Sequence, residues 1–175
     1  AACLRRRGVP SIVLERGATV GPAWHRHYQR LHLHTNKSAS GLPHRPMPRS
    51  YPRYPSRDQV ASYLVEYAEA EGLDVRLGVE VTGCRRNGAG WLTDTATDTT
   101  FAAPHLVIAT GMSHTPFLPD VPGMDLYDGR VLHSADYDSG RDFQNQDVLV
   151  VGFGNSAGEI ALDLAEQGAR PSISV

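Results

Sequence analysis

Cysteine is scarce in this sequence. Cys3 and Cys84 are far apart and make no C-x-x-C pair, which excludes a disulfide framework and a local dithiol redox centre. Two isolated thiols fit a reducing compartment, so a cytoplasmic setting is expected. No apolar run is long enough to span a bilayer as a helix. Charge of neither sign dominates. The 175 residues carry a formal net charge of −2 and a pI near 6.5, which gives no reason to expect nucleic acid or an anionic membrane as partner. No low-complexity segment occurs, and the chain opens without a Met.

What is present centres on Asp147 to Asp163. Val148 to Val151 form a short β-branched and apolar run, as a parallel strand covered on both faces requires. Gly152, Gly154 and Ala157 follow as G-x-G-x-x-A, an accepted form of the dinucleotide fingerprint. Gly152 permits the tight turn, Gly154 lets a pyrophosphate approach the backbone, and Ala157 lets the helix pack closely on the strand. The helix N-terminus, beginning near Asn155 and Ser156, presents free N–H groups and a positive dipole end to phosphate. Ile160, Ala161 and Leu164 share one helical face, and Gly168 sits where a helix C′ glycine belongs. A glycine turn between any strand and helix gives the same letters, but the flanking elements favour cofactor binding.

The N-terminal stretch repeats part of this pattern. Ala1 to Arg7 reads as the last turns of a helix with basic residues at its C-terminal end, stopped by Gly8. Ser11 to Leu14 reads as a strand ended by Glu15, where a dinucleotide fold places the acid that binds ribose hydroxyls. Gly8-Val-Pro-Ser-Ile-Val-Leu-Glu15 and Gly168-Ala-Arg-Pro-Ser-Ile-Ser-Val175 align on Pro-Ser-Ile. Two such units suggest two nucleotide sites, one for a flavin and one for a nicotinamide; coincidence in a short Pro-Ser-Ile string is the alternative. A first strand and its glycine turn are then expected just upstream of Ala1, so that the sequence is a piece cut inside the first helix.

Between these ends, residues 16–54 read as irregular and rich in Gly, Pro and His. His25, His27, His32, His34 and His44 include two H-x-H steps, but no carboxylate or thiolate partner stands at a fixed spacing, so no metal site is expected. Leu31-His-Leu33 alternates like a strand, with His32 and His34 opposite the leucines. Asn36 follows and could cap a turn. Ser56-Arg-Asp-Gln59 is a capping box, and Val60, Tyr63, Leu64, Tyr67 and Ala68 form one apolar stripe that Gly72 ends. Asp74 to Trp91 reads as short strands with a turn at Asn87-Gly88, and Trp91–Thr93 with Thr100–Ala102 as a further pair. Leu106 to Gly111 reads as a buried strand ending in a small-residue turn. Pro116, Pro119 and Pro122 mark a linker.

Together these residues resemble the flavin-containing monooxygenases, closest to the plant auxin-forming YUCCA-type branch and its bacterial relatives. Pro10 to Arg16 with Gly21 and Trp24 resembles the flavin-side segment. Ala109-Thr110-Gly111 resembles the A-T-G turn that returns from the flavin domain. Tyr127-x-Gly129-x-x-x-His133-x-x-x-Tyr137 resembles the identifying motif F-x-G-x-x-x-H-x-x-x-[YFW], with Tyr127 in place of Phe. Gly152-Phe-Gly154-Asn155-Ser156-Ala157 resembles the nicotinamide-side G-x-G-N-S-G, with Ala157 as its third small residue.

The resemblance implies an α/β fold of two nested Rossmann-like dinucleotide-binding domains, glutathione-reductase-like and incomplete at both ends. Residues 1–115 would be a partial FAD-binding domain, 116–146 a linker with the identifying motif, and 147–175 the start of the NAD(P)-binding domain. It implies FAD and NADPH as cofactors and a small organic substrate with O2 as partners; it sets no oligomeric state. It implies hydride transfer to FAD, capture of O2 as a C4a-hydroperoxide, and transfer of one oxygen atom. Glu15, Arg16, Gly21, Trp24, Ala109, Thr110 and Gly111 would serve the flavin; Gly152, Gly154, Asn155, Ser156 and Ala157 the nicotinamide. Asn36 would be a hydrogen-bond donor to the oxygenated flavin, while His133 and Tyr137 shape the architecture. Another two-dinucleotide flavoprotein, such as a disulfide reductase, is the alternative; an inactive fragment is the third possibility.

Overall fold

A computed structural model describes residues 1–111 and 115–175. They fall into two compact units, each described by itself. The first holds Ala1–His25 and Leu33–Thr110; the second holds Arg26–His32 and Gly111–Val175.

The first unit begins with α1 (Ala2–Arg6), and Gly8 takes a left-handed φ of 73° as the chain leaves it. Strand β1 (Ile12–Glu15) follows. Short helices α2 (Pro22–Arg26) and α3 (Lys37–Ser40) lie in the irregular stretch. The alternation at Leu31 and Leu33 survives without a strand element: Leu31 is buried, Leu33 packs on the first unit's core, and His32 and His34 are exposed.

Helix α4 (Arg57–Ala70) starts where its capping box requires. Ser56 accepts from the Gln59 amide at 3.3 Å while Gln59 accepts from the Ser56 amide at 3.0 Å. Its stripe buries Val60, Tyr63, Tyr67 and Ala68, with Leu64 half-buried. Each large apolar side chain so placed contributes about 1.5–3 kcal/mol. Ala2 and Met47 complete that core, and Trp24, Leu33, Leu42, Tyr51 and Leu73 pack against it. The tyrosines also organise the preceding loop: Tyr63 Oη donates to the Arg45 carbonyl and accepts from the Leu42 amide, both at 2.6 Å, and Tyr67 Oη donates to the Pro43 carbonyl. Gly72, at φ 58°, ends the turn.

Strand β2 (Asp74–Leu77) pairs in parallel with β1. An antiparallel meander follows: β3 (Val81–Asn87), β4 (Gly90–Thr95) and β5 (Thr100–Ala103), with Gly88 left-handed in the first hairpin.

Residues 106–111 correct the sequence reading. They form no strand, and Val107 and Ile108 are 79% and 76% exposed. A strand exists only where a neighbour takes its backbone hydrogen bonds. The parallel sheet here consists of β1 and β2 alone among the described residues, so apolar composition alone does not make residues 106–111 a strand.

The second unit is a βαβ unit with a short lead-in. After a single 3-10 turn at Met124–Leu126 and another at Gly140–Phe143 come β6 (Asp147–Val151), α5 (Asn155–Glu166) and β7 (Arg170–Ser174). β6 and β7 pair in parallel, and α5 packs on both. Ile160, Ala161 and Leu164 are buried as the spacing requires. Gly168, at φ 89°, closes the helix as Gly8 does α1, so the two Pro-Ser-Ile segments follow matching left-handed exits. The reading of β6 as covered on both faces is corrected: Val148 and Val150 are half-buried, but Leu149 and Val151 are 65% and 72% exposed. Among the described residues α5 packs on the face to which Val148 and Val150 alternate.

Candidate functional site

The β6–α5 junction brings Gly152, Gly154, Asn155, Ser156 and Ala157 together. Gly152 sits at φ 100°, a conformation that disfavours any side chain. Gly154 is the N-cap of α5, at φ −86° and ψ −179°, and no side chain caps the helix. A Cβ at Gly154 would meet nothing within 4 Å. Gly154 and the exposed Asn155 and Ser156 therefore leave open space beside a helix N-terminus. The first N–H groups of a helix have no intrahelical acceptor, and here no side chain supplies one. That arrangement suits a pyrophosphate: orphan donors, the positive end of the helix dipole, and backbone that an anion can approach.

The residues expected to serve the flavin lie mostly in the first unit, and the structure gives them separate local jobs. Glu15 ends β1, and its Oε1 accepts from the Gly17 amide at 2.7 Å. Its other oxygen has no hydrogen-bond partner among the described residues. Arg16 is exposed. Gly21 is left-handed at φ 65°, and a Cβ there would lie 2.7 Å from Leu64 Cδ1, so it is a packing glycine on α4. Trp24 packs against the tyrosine core. Ala109, Thr110 and Gly111 are exposed in irregular backbone.

Asn36 is the N-cap of α3. Its Oδ1 accepts from the Ser38 amide at 2.7 Å and from Ser38 Oγ. Capping uses the carbonyl oxygen and leaves the amide NH2 available. Lys37 fixes the surroundings: its ammonium donates to the carbonyls of Pro48, Arg49 and Tyr51. A single cation thereby gathers three loop carbonyls that would otherwise face water.

The identifying motif resolves into distinct roles. A Cβ at Gly129 would fall 2.3 Å from the tip of the exposed Tyr127 ring, so the ring lies over that glycine and a larger residue would displace it. His133 Nδ1 accepts from the Ala135 amide at 3.0 Å, a local turn contact. Tyr137 is buried. Its Oη donates to Asp163 Oδ2 at 2.7 Å, and its ring stacks on Phe143 and meets Tyr28 edge-on, both with centroids 6.0 Å away. Burial, with the carboxylate partner, raises the Tyr137 phenol well above its ordinary value.

Sequence reasoning missed Asp163, Gly140 and Arg30. Asp163 is 3% exposed and accepts from the Gly140 amide at 2.8 Å as well as from Tyr137. The signal was legible: a carboxylate three residues after Ile160, on the apolar face of α5, must find donors. Arg30 donates to Glu159 at 2.6 Å and in bidentate fashion to Glu166 at 2.8 and 2.9 Å. It spans two turns of α5 from a segment too distant in sequence for any local pattern to show.

Tyr28 differs from Tyr137. Its hydroxyl is buried without a hydrogen-bond partner among the described residues, and burial pushes its pKa up to about 12. The native state therefore holds this proton while an unfolded tyrosine releases it near pH ~10. The stability this group confers is full below that pH and falls as pH rises toward 12. Tyr28→Phe should be as stable as wild type at pH 7 or more stable by up to about 1–3 kcal/mol, since no hydrogen bond is lost and the cost of an unpaired buried hydroxyl is removed. It should also shift alkaline unfolding to higher pH. Circular dichroism against pH measures both; a large loss at pH 7 would show a partner for the hydroxyl.

A parallel βαβ unit with an uncapped, glycine-opened helix N-terminus defines a dinucleotide-binding α/β protein. The profile of the pyridine nucleotide-disulphide oxidoreductase family matches residues 1–174, and the chain belongs to that family. The chain is similar to flavin monooxygenases. It is 43% identical over 178 residues to the indole-3-pyruvate monooxygenase YUCCA1 of Oryza sativa subsp. japonica, covering 100% of this chain and 44% of that protein. The flavin-containing monooxygenase of Stenotrophomonas maltophilia superposes with a TM-score of 0.90 at 28% identity, covering 98% of this chain and 52% of that one. A bacillithiol disulfide reductase from Bacillus cereus, at 23% identity and a TM-score of 0.81 over 99% of this chain and 53% of that one, shares the fold. The chain spans less than half the length of the curated relatives it matches. The FAD/NAD(P)-binding α/β fold expected from the sequence is therefore the fold observed. Among the described residues, no helix is long and apolar enough to cross a membrane.

Proposed function

We propose that the protein works as an FAD- and NADPH-dependent monooxygenase that transfers one oxygen atom from O2 to a small organic substrate. The observation that carries this is the β6–α5 cradle, set in a chain whose relatives are named flavin monooxygenases. When bound, FAD accepts hydride from NADPH and supplies the oxygen chemistry. The chain's own residues bind and orient. Gly152, Gly154 and the amides of Asn155, Ser156 and Ala157 fit the NADPH pyrophosphate. For FAD, the free carboxylate oxygen of Glu15 fits a ribose hydroxyl, with Arg16, Gly21 and Trp24 shaping the segment after it. Ala109, Thr110 and Gly111 are assigned to the flavin side on the motif resemblance. Asn36 offers an amide donor that carries no titrating proton.

Domain limits of 1–115, 116–146 and 147–175 go with this reading, as does a cytoplasmic setting, which the free, exposed Cys3 and Cys84 suit. The first substrate to test is indole-3-pyruvate, which the plant relatives' names carry. Purified flavoprotein mixed with NADPH and 18O2 should give one labelled oxygen in product for each NADPH oxidised. NADPH oxidation coupled to disulfide reduction would replace the monooxygenase reading with a reductase. No NADPH oxidation would overturn both.

A further inference from the structure

We propose that Asp163 is a positioning residue for the nicotinamide dinucleotide, resting on the reading that the β6–α5 turn holds NADPH. Asp163 lies eight residues along α5 from Asn155, about 12 Å at 1.5 Å per residue, so it does not touch the phosphates. Its carboxylate is buried and takes two donors on one oxygen, Tyr137 Oη at 2.7 Å and the Gly140 amide at 2.8 Å. The backbone there approaches α5 as closely as chemistry permits: a Cβ at Gly140 would stand 2.7 Å from the Asp163 carbonyl oxygen and 2.9 Å from Leu164 Cα.

Residues 137–140 are held in turn from the other side. Gln29 donates through its backbone amide to the Asp138 carbonyl at 2.9 Å and through its side chain to the Asp138 carboxylate at 2.8 Å. Arg30, the next residue, grips Glu159 and Glu166 on α5. Thus the last residues of the identifying motif and the helix that presents its N-terminus to phosphate share one buried carboxylate. A helix moves as a rigid rod, so a fixed point at its far half sets where its first turn aims. The motif precedes the glycine turn in sequence, and Asp163 is the atom-level joint between its last residues and α5.

The test uses the FAD-loaded holoprotein. NADPH affinity is measured by calorimetry, and hydrogen exchange follows the amides of residues 155–158. Asp163→Ala removes the acceptor and strands two buried donors, so NADPH affinity should fall about tenfold or more. Protection of residues 155–158 by NADPH should drop while FAD content stays. Asp163→Asn keeps an acceptor oxygen and should recover most of the affinity. Tyr137→Phe keeps the ring, should weaken binding by a smaller factor, and should add little on top of Asp163→Ala. Should Asp163→Ala fail to fold, Tyr137→Phe decides alone. A folded variant that loses thermal stability yet binds NADPH as wild type does would reduce Asp163 to a packing residue and overturn the proposal. A wild type that binds no NADPH overturns the reading of the cradle itself.

Discussion

Gly154→Val is expected to leave the fold in place and to lower NADPH affinity about a hundredfold. The backbone at Gly154 is at φ −86°, where any L-residue is at ease. A Cβ there would meet no protein atom within 4 Å, so the change costs no native packing. What it fills is the space beside the orphan amides of α5. A branched side chain there keeps a pyrophosphate from reaching those donors, and each lost charge-assisted hydrogen bond is worth about 1.5–3 kcal/mol. Two of them at the lower end of that range give about the stated factor. The contrast is Gly152, where φ is 100° and a valine strains the turn itself. Thermal unfolding and NADPH titration of the two variants separate the cases: Gly154→Val should melt like wild type and bind poorly, whereas Gly152→Val should do both badly. Wild-type affinity in folded Gly154→Val would make the turn structural only.

The elements that the sequence made legible are those whose signals are local. The capping box at Ser56 and Gln59, the stripe from Val60 to Ala68, the hairpin at Gly88 and the glycine exits at Gly8 and Gly168 each lie within a few residues of the structure they dictate. Residues 106–111 form no strand because a strand is a property of two paired segments, and β-branched composition says nothing about whether a partner lies alongside. Leu149 and Val151 make the related point: hydrophobic letters in β6 do not say which element covers each face, and α5 covers the face of Val148 and Val150.

The candidate site divides the same way. Gly152 and Gly154 could be read from the motif because their chemistry is backbone geometry. Gly21 and Trp24 carry family letters, yet their contacts here are with Leu64 and the tyrosine core, so a motif position and a ligand contact are different claims. Arg30 was invisible because its partners, Glu159 and Glu166, lie more than a hundred residues away and only the fold brings them close.

Asn36 offers the sharpest separation of cap from donor. Its Oδ1 closes the turn onto Ser38, at 2.7 Å from the Ser38 amide, and that alone would explain an Asn here. The remaining NH2 group can hold a reacting oxygen without protonating it, which a histidine or lysine could not do as safely. Ser and Asn are nearly equivalent N-caps, while Ala loses about 1 kcal/mol. Asn36→Ser therefore keeps α3 and the Lys37 clamp but withdraws the amide donor. If Asn36 only caps, Asn36→Ser is silent and Asn36→Ala costs stability without changing the reaction. If it also donates, both variants oxidise NADPH at near wild-type rates, because hydride transfer precedes the oxygen step. Each then releases hydrogen peroxide at the expense of oxygenated product. One preorganised donor is worth about 3 kcal/mol, so the ratio of product to peroxide should fall roughly a hundredfold. Following NADPH, peroxide and product in one reaction, alongside thermal unfolding, decides between the two, and wild-type coupling in Asn36→Ser would assign Asn36 to the cap alone.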